Sequence, residues 1–361
     1  MKKVVFFITG LNSGGIENYL LRFLKFKASS FSEVVVYCKG GKGGHLENEY
    51  LEIPNVQIIK NNIGYFNILN YLNLLYFFKR GNYDVVCDFT GNFSGLILYC
   101  AKLSKIDKRI VFYRGSSNRF KETALRLFYN RIVRKLAYKY ATSILSNSQS
   151  AFDFFYKKKM QDSRFQVIYN GVNPSLIIHI NKNLRKEFAI PDNSFVVGHT
   201  GRFNNAKNHS IIIQVAEKLI NKYPDIYFIL CGTGVEVGLK AKVKNLNLDK
   251  NVKLFDNRRD IPMFLNTMDV YFFPSITEGQ PNSLIEAMIM GLPFVASNIS
   301  SIQETVGESE NLYDPNDING FFLAIEEFYM KKVSRDLMLR ERTIAKFDYI
   351  KLFNQFYRSL E

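Results

Sequence analysis

Two glutamates, Glu278 and Glu286, stand on either side of Pro281 at a spacing suited to binding a sugar. Pro281 fits the first turn of a helix, because its missing N–H would have no partner there. Glu278 then precedes the helix and Glu286 lies about one turn inside it, so both carboxylates can flank one bound group. Carboxylates accept hydrogen bonds from vicinal hydroxyls, so the pattern predicts a site for a ribose or a hexose.

The same helix start is predicted to bind an anion. The N–H groups of Asn282, Ser283 and Leu284 are expected to point out of the first turn, where the helix dipole favours a phosphate. Gly279 lets the backbone approach a ligand closely, and Gln280 follows it. The stretch therefore combines sugar-binding and phosphate-binding features.

A second stretch carries two cations just after a predicted strand. Gly201 turns the chain, Arg202 follows, and Lys207 stands at the start of the next predicted helix. Two cations in this position can neutralise a diphosphate, whose negative charge grows when a sugar–phosphate bond breaks. We therefore expect Arg202 and Lys207 to stabilise a transition state.

Two further turns are rich in glycine. Segment 10–17 follows the first predicted strand and contains Gly14 and Gly15, but its spacing is not that of a dinucleotide-binding fingerprint. Segment 40–44 lacks the lysine and hydroxyl residue of a P-loop. We interpret 10–17 as a turn at the site and 40–44 as a flexible loop, a mobile lip of that site.

Short apolar runs and helical patterns alternate along the whole chain, which indicates parallel sheets with helices on both faces. The predicted strands are 4–8, 34–37, 56–59, 84–87, 109–112, 143–145, 165–168, 195–197, 226–230, 252–255, 270–273 and 294–296. The predicted helices include 16–27, 67–79, 94–102, 119–140, 207–222, 235–245, 261–266 and 282–290. The expected fold class is α/β, with two Rossmann-like doubly wound domains and a ligand-binding cleft between them.

Length and composition support this organisation. The chain has 361 residues, of which 47% are hydrophobic and 22% charged, which excludes disorder or a coiled coil as a description of the whole. Its apolar runs are too short for a membrane-spanning helix. The four cysteines show no CxxC pair and the four histidines are scattered, so we expect no metal site.

The net charge of +15 is confined to the first half of the chain. Residues 1–172 contain 26 lysines and arginines against 11 acids, whereas the remainder has 22 of each. Segment 102–139 holds twelve basic residues, and its predicted helix 119–140 has an apolar stripe of Phe120, Ala124, Phe128, Ile132 and Leu136. Such a helix fits an anionic membrane surface or a nucleic acid, although a merely solvated helix face would look similar.

Taken together, these motifs resemble those of family-4 retaining glycosyltransferases with the GT-B fold, of the kind that build bacterial surface polysaccharides. The strongest match is the E-x7-E motif from Glu278 to Glu286. Supporting matches, in the expected order, are Gly14-Gly15-x-Glu17, Asn170-Gly171-Val172, Gly201-Arg202 with Lys207, and Cys231-Gly232-Thr233-Gly234. The resemblance implies an acceptor-side domain 1–172, a donor domain 173–344, and a helix 345–361 that crosses back to the first domain.

The resemblance also implies roles for single residues. Arg202 and Lys207 would grip the diphosphate of a UDP- or GDP-sugar, Glu278 would contact the transferred sugar, and Glu286 would bind the ribose. The backbone of 279–284 would hold hydroxyls and phosphate. Asn257 and Arg258 fall where the family contacts the base, although Asp256 replaces a common glycine. No metal cofactor is implied, and no D-x-D pair is present in the sequence.

The acceptor side departs from the family. Relatives often have a histidine after the strand that here ends near Phe112, whereas this chain has Arg114. We assign Arg114, Asn12 and Glu17 to the acceptor side, with Arg114 meeting an anionic acceptor unless the pocket itself differs. The expected acceptor is a polyprenyl-diphosphate-linked saccharide, bound by a cytoplasmic enzyme at the inner face of the plasma membrane.

Two alternatives to hexosyl transfer are compatible with parts of this sequence. A GT-B relative such as a non-hydrolysing 2-epimerase would use the same donor site, but its acid and base groups are not visible in this sequence. A basic nucleic-acid-binding protein would use the aromatic residues, 15% of the chain, to stack bases. Because these aromatics fall in core-like runs and no binding motif is present, we expect no nucleic acid partner.

Overall fold

The computed structural model describes residues 1–12, 14–65, 67–116, 122–156, 162–178 and 182–361. They form two compact units, Met1–Gly171 with Tyr349–Glu361, and Val172–Asp348. The boundaries expected from the sequence lie after residues 172 and 344. In the structure, the Val172 N–H donates to the Phe347 carbonyl at 3.0 Å, so residues 172 and 345–348 are part of the second unit.

The elements alternate along the chain as the apolar runs predict. The strands are β1 (Lys2–Ile8), β2 (Phe31–Cys38), β3 (Val56–Lys60), β4 (Val85–Asp88), β5 (Lys108–Tyr113), β6 (Ser143–Ser146), β7 (Phe165–Val167), β8 (Phe195–Thr200), β9 (Ile226–Cys231), β10 (Val252–Phe255), β11 (Val270–Phe273), β12 (Phe294–Ser297) and β13 (Leu312–Tyr313). The helices are α1 (Gly15–Lys27), α2 (Glu47–Leu51), α3 (Ile68–Gly81), α4 (Gly95–Leu103), α5 (Ala124–Tyr140), α6 (Gln149–Tyr156), α7 (Ser175–Ile178), α8 (His209–Lys222), α9 (Val235–Asn245), α10 (Ile261–Thr267), α11 (Asn282–Ile289), α12 (Ser300–Val306), α13 (Ile318–Lys331), α14 (Leu337–Lys346) and α15 (Tyr349–Leu360). Short 3-10 helices cover Ala28–Ser30, Gly91–Ser94 and Asn205–Lys207.

Each unit is built on one parallel sheet, and the two strand orders are the same except that the first sheet has a seventh strand. The first sheet runs β3-β2-β1-β4-β5-β6-β7 and the second runs β10-β9-β8-β11-β12-β13. In both, the order reverses at a central pair, β1 with β4 and β8 with β11. Doubly wound sheets bind ligands at the carboxyl ends of the strands at this reversal. The predicted pair of Rossmann-like folds is confirmed, although the predicted elements do not include the two-residue strand β13 or the short helices α2, α6, α7 and α12.

Successive residues of β1 point to opposite sides of the first sheet, and each side is covered by its own core. Val4, Phe6 and Ile8 pack in one cluster with α1 and α15. Val5 and Phe7 pack in another with α3 and α4. The last helix of the chain, α15, is therefore part of the first unit's core.

Helix α15 inserts aromatic side chains into that core, so their removal should destabilise the first unit. Phe356 is fully buried, with its ring centre 4.6 Å from that of Phe23. We expect Phe356→Ala to lower the free energy of unfolding by about 3–5 kcal/mol. Chemical denaturation followed by circular dichroism measures this. The control is Ile350→Ala at an exposed position of the same helix; equal losses from both substitutions would contradict the prediction.

Candidate functional site

The second unit brings two predicted loops together where its strand order reverses. The loop after β8 carries Lys207, and the loop after β11 carries Glu278. Because β8 and β11 are neighbours in the sheet, both loops leave it at the same point. The Ile276 N–H donates to the Ala206 carbonyl at 2.8 Å, which joins the loops directly.

Lys207 and Glu278 form an ion pair at this point, with Nζ 2.6 Å from Oε1. The two side chains are only 17% and 13% exposed. Nζ also lies 4.6 Å from the centre of the Phe273 ring. Because partial burial weakens screening by water, the pair fixes a cation beside a carboxylate more strongly than a surface pair would. The arrangement can present a positive charge to a phosphate and an acceptor to a hydroxyl.

The loop that carries Lys207 is held against the loop after β9. The Gly201 N–H donates to the Cys231 carbonyl at 2.8 Å, and the Phe203 N–H donates to the Thr233 carbonyl at 3.0 Å. A Cβ on Gly232 would lie 2.1 Å from the Gly201 carbonyl oxygen, and its φ of +155° is a value that residues with side chains rarely adopt. Glycine is therefore required for the two loops to approach.

Helix α11 begins at Asn282 as predicted, but Pro281 is its N-cap and does not lie in its first turn. The Asn282 N–H, expected to face a ligand, donates instead to the Gln280 carbonyl at 3.1 Å. Ser283 and Leu284 lie in the first turn, whose N–H groups have no acceptors within the helix. Of the three backbone amides predicted to bind an anion, those of Ser283 and Leu284 therefore remain. Binding of an anion there stays a prediction.

Tyr271 connects β8 with the first turn of α11, and no sequence motif pointed to this residue. Its hydroxyl lies 2.8 Å from Thr200 Oγ1, at the end of β8, and hydrogen-bonds with Ser283 in α11. Burial and, more weakly, the charge of Glu286 raise the pKa of Tyr271. The phenol therefore stays neutral and positions the first turn of α11 relative to β8.

Two histidines that are scattered in the sequence meet beneath Lys207. The rings of His199 and His209 are 5.1 Å apart, and both side chains are buried. His199 Nδ1 lies 2.9 Å from the Phe272 carbonyl oxygen. Burial, then neighbouring charge, lowers the pKa of both rings, that of His209 to about 4. In the sequence, the two histidines lie on either side of the Lys207 loop. This placement was the available sequence signal that they lie close together.

The His209 ring should make the stability of the second unit depend on pH. Its folded pKa of about 4 lies below the ordinary value of 6.5, so the unfolded chain binds the proton more readily. The stability that the neutral His209 ring contributes is fully present above pH 6.5. This contribution falls by up to about 3 kcal/mol as the pH decreases towards 4. Urea unfolding between pH 7 and 4 should show this loss, and His209→Gln should make the pH dependence smaller, with the part due to His199 remaining. His45→Gln, at an exposed position, is the control; an unchanged slope in His209→Gln would refute the prediction.

The residues predicted to contact the base differ in their surroundings. Asn257 is exposed, as is Arg202 in the diphosphate loop. Arg258 binds both oxygens of Asp260, at 2.9 and 2.6 Å, and Glu187 Oε1 at 2.9 Å. Hydrogen bonding to Asp260 is the main cause that raises the pKa of Arg258. Its charge is thus already neutralised within the protein, and contact with a base stays a prediction.

The first unit holds the remaining predicted residues near the carboxyl ends of its strands. Gly14 is the N-cap of α1 in extended backbone, and a Cβ there would lie 2.4 Å from Glu17 Oε2. Gly15 opens the helix with no atom near its Cβ position, and Asn12 is exposed. Arg114 follows β5 and is buried. Glu17 and Arg114 both have interaction partners in the structure.

Comparison with known families identifies the class of this protein. The family model described as Glycosyltransferase Family 4 matches residues 13–176, and the one described as Glycosyl transferases group 1 matches 180–345. The two matches follow the two structural units almost from end to end. The chain therefore belongs to the GT-B glycosyltransferases.

Individual relatives agree with this placement. The chain is 28% identical to the capsular polysaccharide biosynthesis glycosyltransferase CapH of Staphylococcus aureus, over 84% of this chain and 83% of that protein. It is 27% identical to the UDP-Gal:alpha-D-GlcNAc-diphosphoundecaprenol alpha-1,3-galactosyltransferase of Escherichia coli, over 76% and 69%. The structure of Anabaena HepE in complex with UDP has the same fold, with a TM-score of 0.82 at 21% identity over 99% of both chains.

Proposed function

We propose that this glycosyltransferase moves a hexose, with retention of anomeric configuration, from a nucleotide-diphosphate sugar to a polyprenyl-diphosphate-linked saccharide in surface polysaccharide synthesis. The observation that carries the proposal is the Lys207–Glu278 pair at 2.6 Å, at the reversal point of the second sheet. Relatives named as capsule and O-antigen glycosyltransferases support the pathway class. Transferase family membership favours this function over an epimerase or a nucleic-acid-binding protein.

The donor is expected to bind to the second unit. Lys207 and Arg202 would neutralise the diphosphate, the Ser283 and Leu284 amides would bind phosphate or sugar oxygens, and Glu286 would accept from the ribose diol. When the bond from the anomeric carbon to the diphosphate breaks, Lys207 is placed to stabilise the charge left on the leaving group. These side chains supply the positive charge, so we expect transfer to proceed without a metal ion.

A donor and acceptor screen tests the proposal. The full chain is incubated with UDP- and GDP-hexoses and a lipid-diphosphate-linked sugar, with and without EDTA, and the product is analysed by mass spectrometry and NMR. Retention would appear as the same anomeric configuration in donor and product. Binding of UDP or GDP is measured separately by thermal shift, since a specific ligand raises the melting temperature. Loss of all transfer in EDTA, or inversion of configuration, would contradict the corresponding part of the proposal.

Helix α5 supports an interaction with a membrane surface through two residues of its predicted apolar stripe. Phe128 is 59% exposed and Ile132 is also exposed, whereas Asn130, Val133 and Ala137 face the protein. The reason is that α5 packs on α4 through its face of smaller side chains. On this face, a Cβ on Gly95 of α4 would lie 2.1 Å from the Val133 carbonyl oxygen. Phe120 lies outside the described residues.

Apolar and basic side chains are therefore exposed together on α5, and α3 exposes further apolar side chains. On α5 the exposed basic residues are Arg126, Arg131, Lys135 and Lys139. Helix α3, which also packs on α4, exposes Ile68, Leu69, Leu72 and Tyr76. This combination fits a peripheral protein at an anionic bilayer, which we place at the inner face of the plasma membrane. Among the described helices, none has the length and apolarity needed to cross a bilayer.

Vesicle flotation tests this membrane surface. Phe128→Glu with Ile132→Glu should reduce binding to vesicles containing phosphatidylglycerol roughly 10- to 100-fold, because two apolar side chains no longer enter the interface. The control is Leu337→Glu with Met338→Glu, which changes two exposed apolar residues on α14 of the second unit. Equal binding of both double variants, or binding that ignores salt and anionic lipid, would refute the membrane interaction.

A further inference from the structure

A group of three rings lies beneath the end of the Lys207 side chain. The rings belong to His199 on β8 and to Tyr271 and Phe273 on β11, and their planes lie within 26° of one another. The His199 ring centre is 5.8 Å from that of Phe273, over which the Lys207 ammonium lies. The histidine is therefore a direct neighbour of the aromatic face that attracts the lysine cation.

The hydrogen bond of His199 determines which of its ring nitrogens carries the hydrogen. Nδ1 lies 2.9 Å from the Phe272 carbonyl oxygen, and because this oxygen can only accept, Nδ1 is the donor. Burial lowers the pKa of His199 well below its ordinary value, so the ring is neutral. A neutral ring with its hydrogen on Nδ1 has a lone pair on Nε2.

This lone pair is buried without a hydrogen-bond donor. Within the described part of the chain, no group donates to His199 Nε2, although the residue has no exposed surface. Native proteins leave few buried polar atoms unpaired, because each one costs stability. A phenylalanine would fill a similar space without that cost. Violations of this kind are expected where they serve a functional site.

Nε2 and the Lys207 side chain face each other across Gly201. A Cβ on Gly201 would lie 2.8 Å from His199 Nε2 and 3.2 Å from both Cδ and Cε of Lys207. The lone pair and the cationic end of the lysine therefore border on the same small space. After burial and the charge of His209, the charge of Lys207 also lowers the pKa of His199. A neutral ring thus attracts the lysine, whereas a protonated ring would repel it.

We propose that His199 is a positioning residue for Lys207, because its Nε2 lone pair faces the lysine side chain and keeps the ammonium over Phe273 and beside Glu278. The inference rests on the proposed transferase function, since it is the donor diphosphate that Lys207 is held ready to bind. Lysine has a flexible four-carbon stem, so a fixed position of its ammonium requires support from its neighbours. The histidine acts through Lys207 and contacts no substrate.

Two substitutions separate the roles of the two ring nitrogens. His199→Asn keeps an amide N–H near the position of Nδ1, so it can still donate to the Phe272 carbonyl, but it has no acceptor at the position of Nε2. His199→Gln reaches further and can place its amide oxygen near Nε2. The control is Asn251→Leu, which removes two hydrogen bonds of another buried residue, to the Pro224 and Ile226 carbonyls at 2.9 Å.

Calorimetric titration with UDP and GDP measures the effect on the diphosphate site. For the nucleotide that binds more tightly, we expect His199→Asn to weaken binding roughly 5- to 10-fold, and His199→Gln and Asn251→Leu to change it less than twofold. Melting temperatures verify that each variant is folded. If the role of His199 were only structural, the bond from Nδ1 would matter, and His199→Asn would bind better than His199→Gln. That reverse order would overturn the inference.

A double-mutant cycle shows whether His199 acts through Lys207. In protein that carries Lys207→Met, adding His199→Asn should change the affinity for the same nucleotide less than twofold, because the side chain to be positioned is already absent. A loss in this background as large as in the wild type would contradict the inference, since it would place the effect of His199 on another part of the site.

A labelling experiment without nucleotide tests the position of Lys207 itself. Each protein is briefly acetylated with acetic anhydride, and mass spectrometry follows Lys207 relative to Lys222, whose side chain is 56% exposed. Lys207 is 17% exposed and should react slowly in the wild type. His199→Asn should raise its relative rate at least fivefold, because the ammonium then leaves Glu278 and Phe273. His199→Gln and Asn251→Leu should not.

The labelling separates failure of this inference from failure of the proposed function. An unchanged rate for Lys207 in His199→Asn would overturn the positioning role, whatever the affinity for nucleotides. If neither UDP nor GDP bound to the wild type while the labelling followed the expected pattern, the proposed function would be contradicted and the positioning of Lys207 by His199 would stand.

Discussion

Replacing Glu278 with glutamine is expected to lower kcat by roughly 100-fold or more, with little change in the donor KM. Glutamine has nearly the shape of glutamate but no charge. The substitution therefore keeps the packing around this mostly buried side chain while it removes the carboxylate 2.6 Å from Lys207. If the carboxylate acts at the reacting sugar, its loss affects the transition state more than the ground state, and the effect appears in kcat. Initial rates at varied donor concentration measure both constants.

The matched control for Glu278 is Glu326→Gln. Glu326 belongs to the same unit and accepts from Lys222 at 2.7 Å, so it is a second lysine–glutamate pair of similar geometry. It connects α8 with α13, away from both loops of the candidate site. This variant should keep its activity. Full activity in Glu278→Gln would show that the role assigned to Glu278 is incorrect.

Lys207→Met is expected to reduce kcat/KM by roughly 10- to 150-fold, through both a higher donor KM and a lower kcat. The estimate corresponds to about 1.5–3 kcal/mol for a hydrogen bond to a charged group. The reason is that Lys207 would contact the diphosphate in the bound donor and gain further as negative charge develops on the leaving group. Calorimetric titration with UDP and GDP, beside steady-state kinetics, separates the two effects.

Two further variants serve as controls for the effect of Lys207→Met on kcat/KM. Lys222→Met removes the other lysine of a comparable pair and should leave both constants unchanged. Lys207→Met combined with Glu278→Gln should cost less than the two single effects added together, because residues in direct contact are not independent. Strict additivity of the two substitutions would show that the pair observed in the structure does not act as a unit.

The sequence was sufficient to predict the fold because alternating apolar runs and helical patterns are local signals. Val4 to Ile8 form a run that is buried on both faces, as a central parallel strand requires. The sequence also indicated that Lys207 and Glu278 follow strands, since each stands after an apolar run and a turn signal. Their meeting depends on β8 and β11 being neighbours, a property of the strand order that no local pattern encodes.

Features that depend on packing between distant segments could not be predicted. Periodicity placed Phe128 on an apolar stripe of α5, but it cannot tell which of two possible stripes faces the protein. Lys39 precedes a glycine-rich segment that we interpreted as a flexible lip, whereas the Gly40 N–H donates to the Thr9 carbonyl and the Leu11 N–H to the Gly43 carbonyl. The surroundings of Lys39 become visible only when Asp88, at the end of β4, and Thr90, just after it, are placed beside its ammonium group.

The position of α15 has a consequence for the order in which the protein matures on the ribosome. Residues 172–348 form a complete unit and emerge before α15, whereas the first unit waits for α15 to cover Phe6 and Phe23. At about 5–20 residues per second, that interval is on the order of 10–40 s. The half that begins first is therefore finished last, and its aromatic surface stays open to chaperones or to misassembly while the other half is being made.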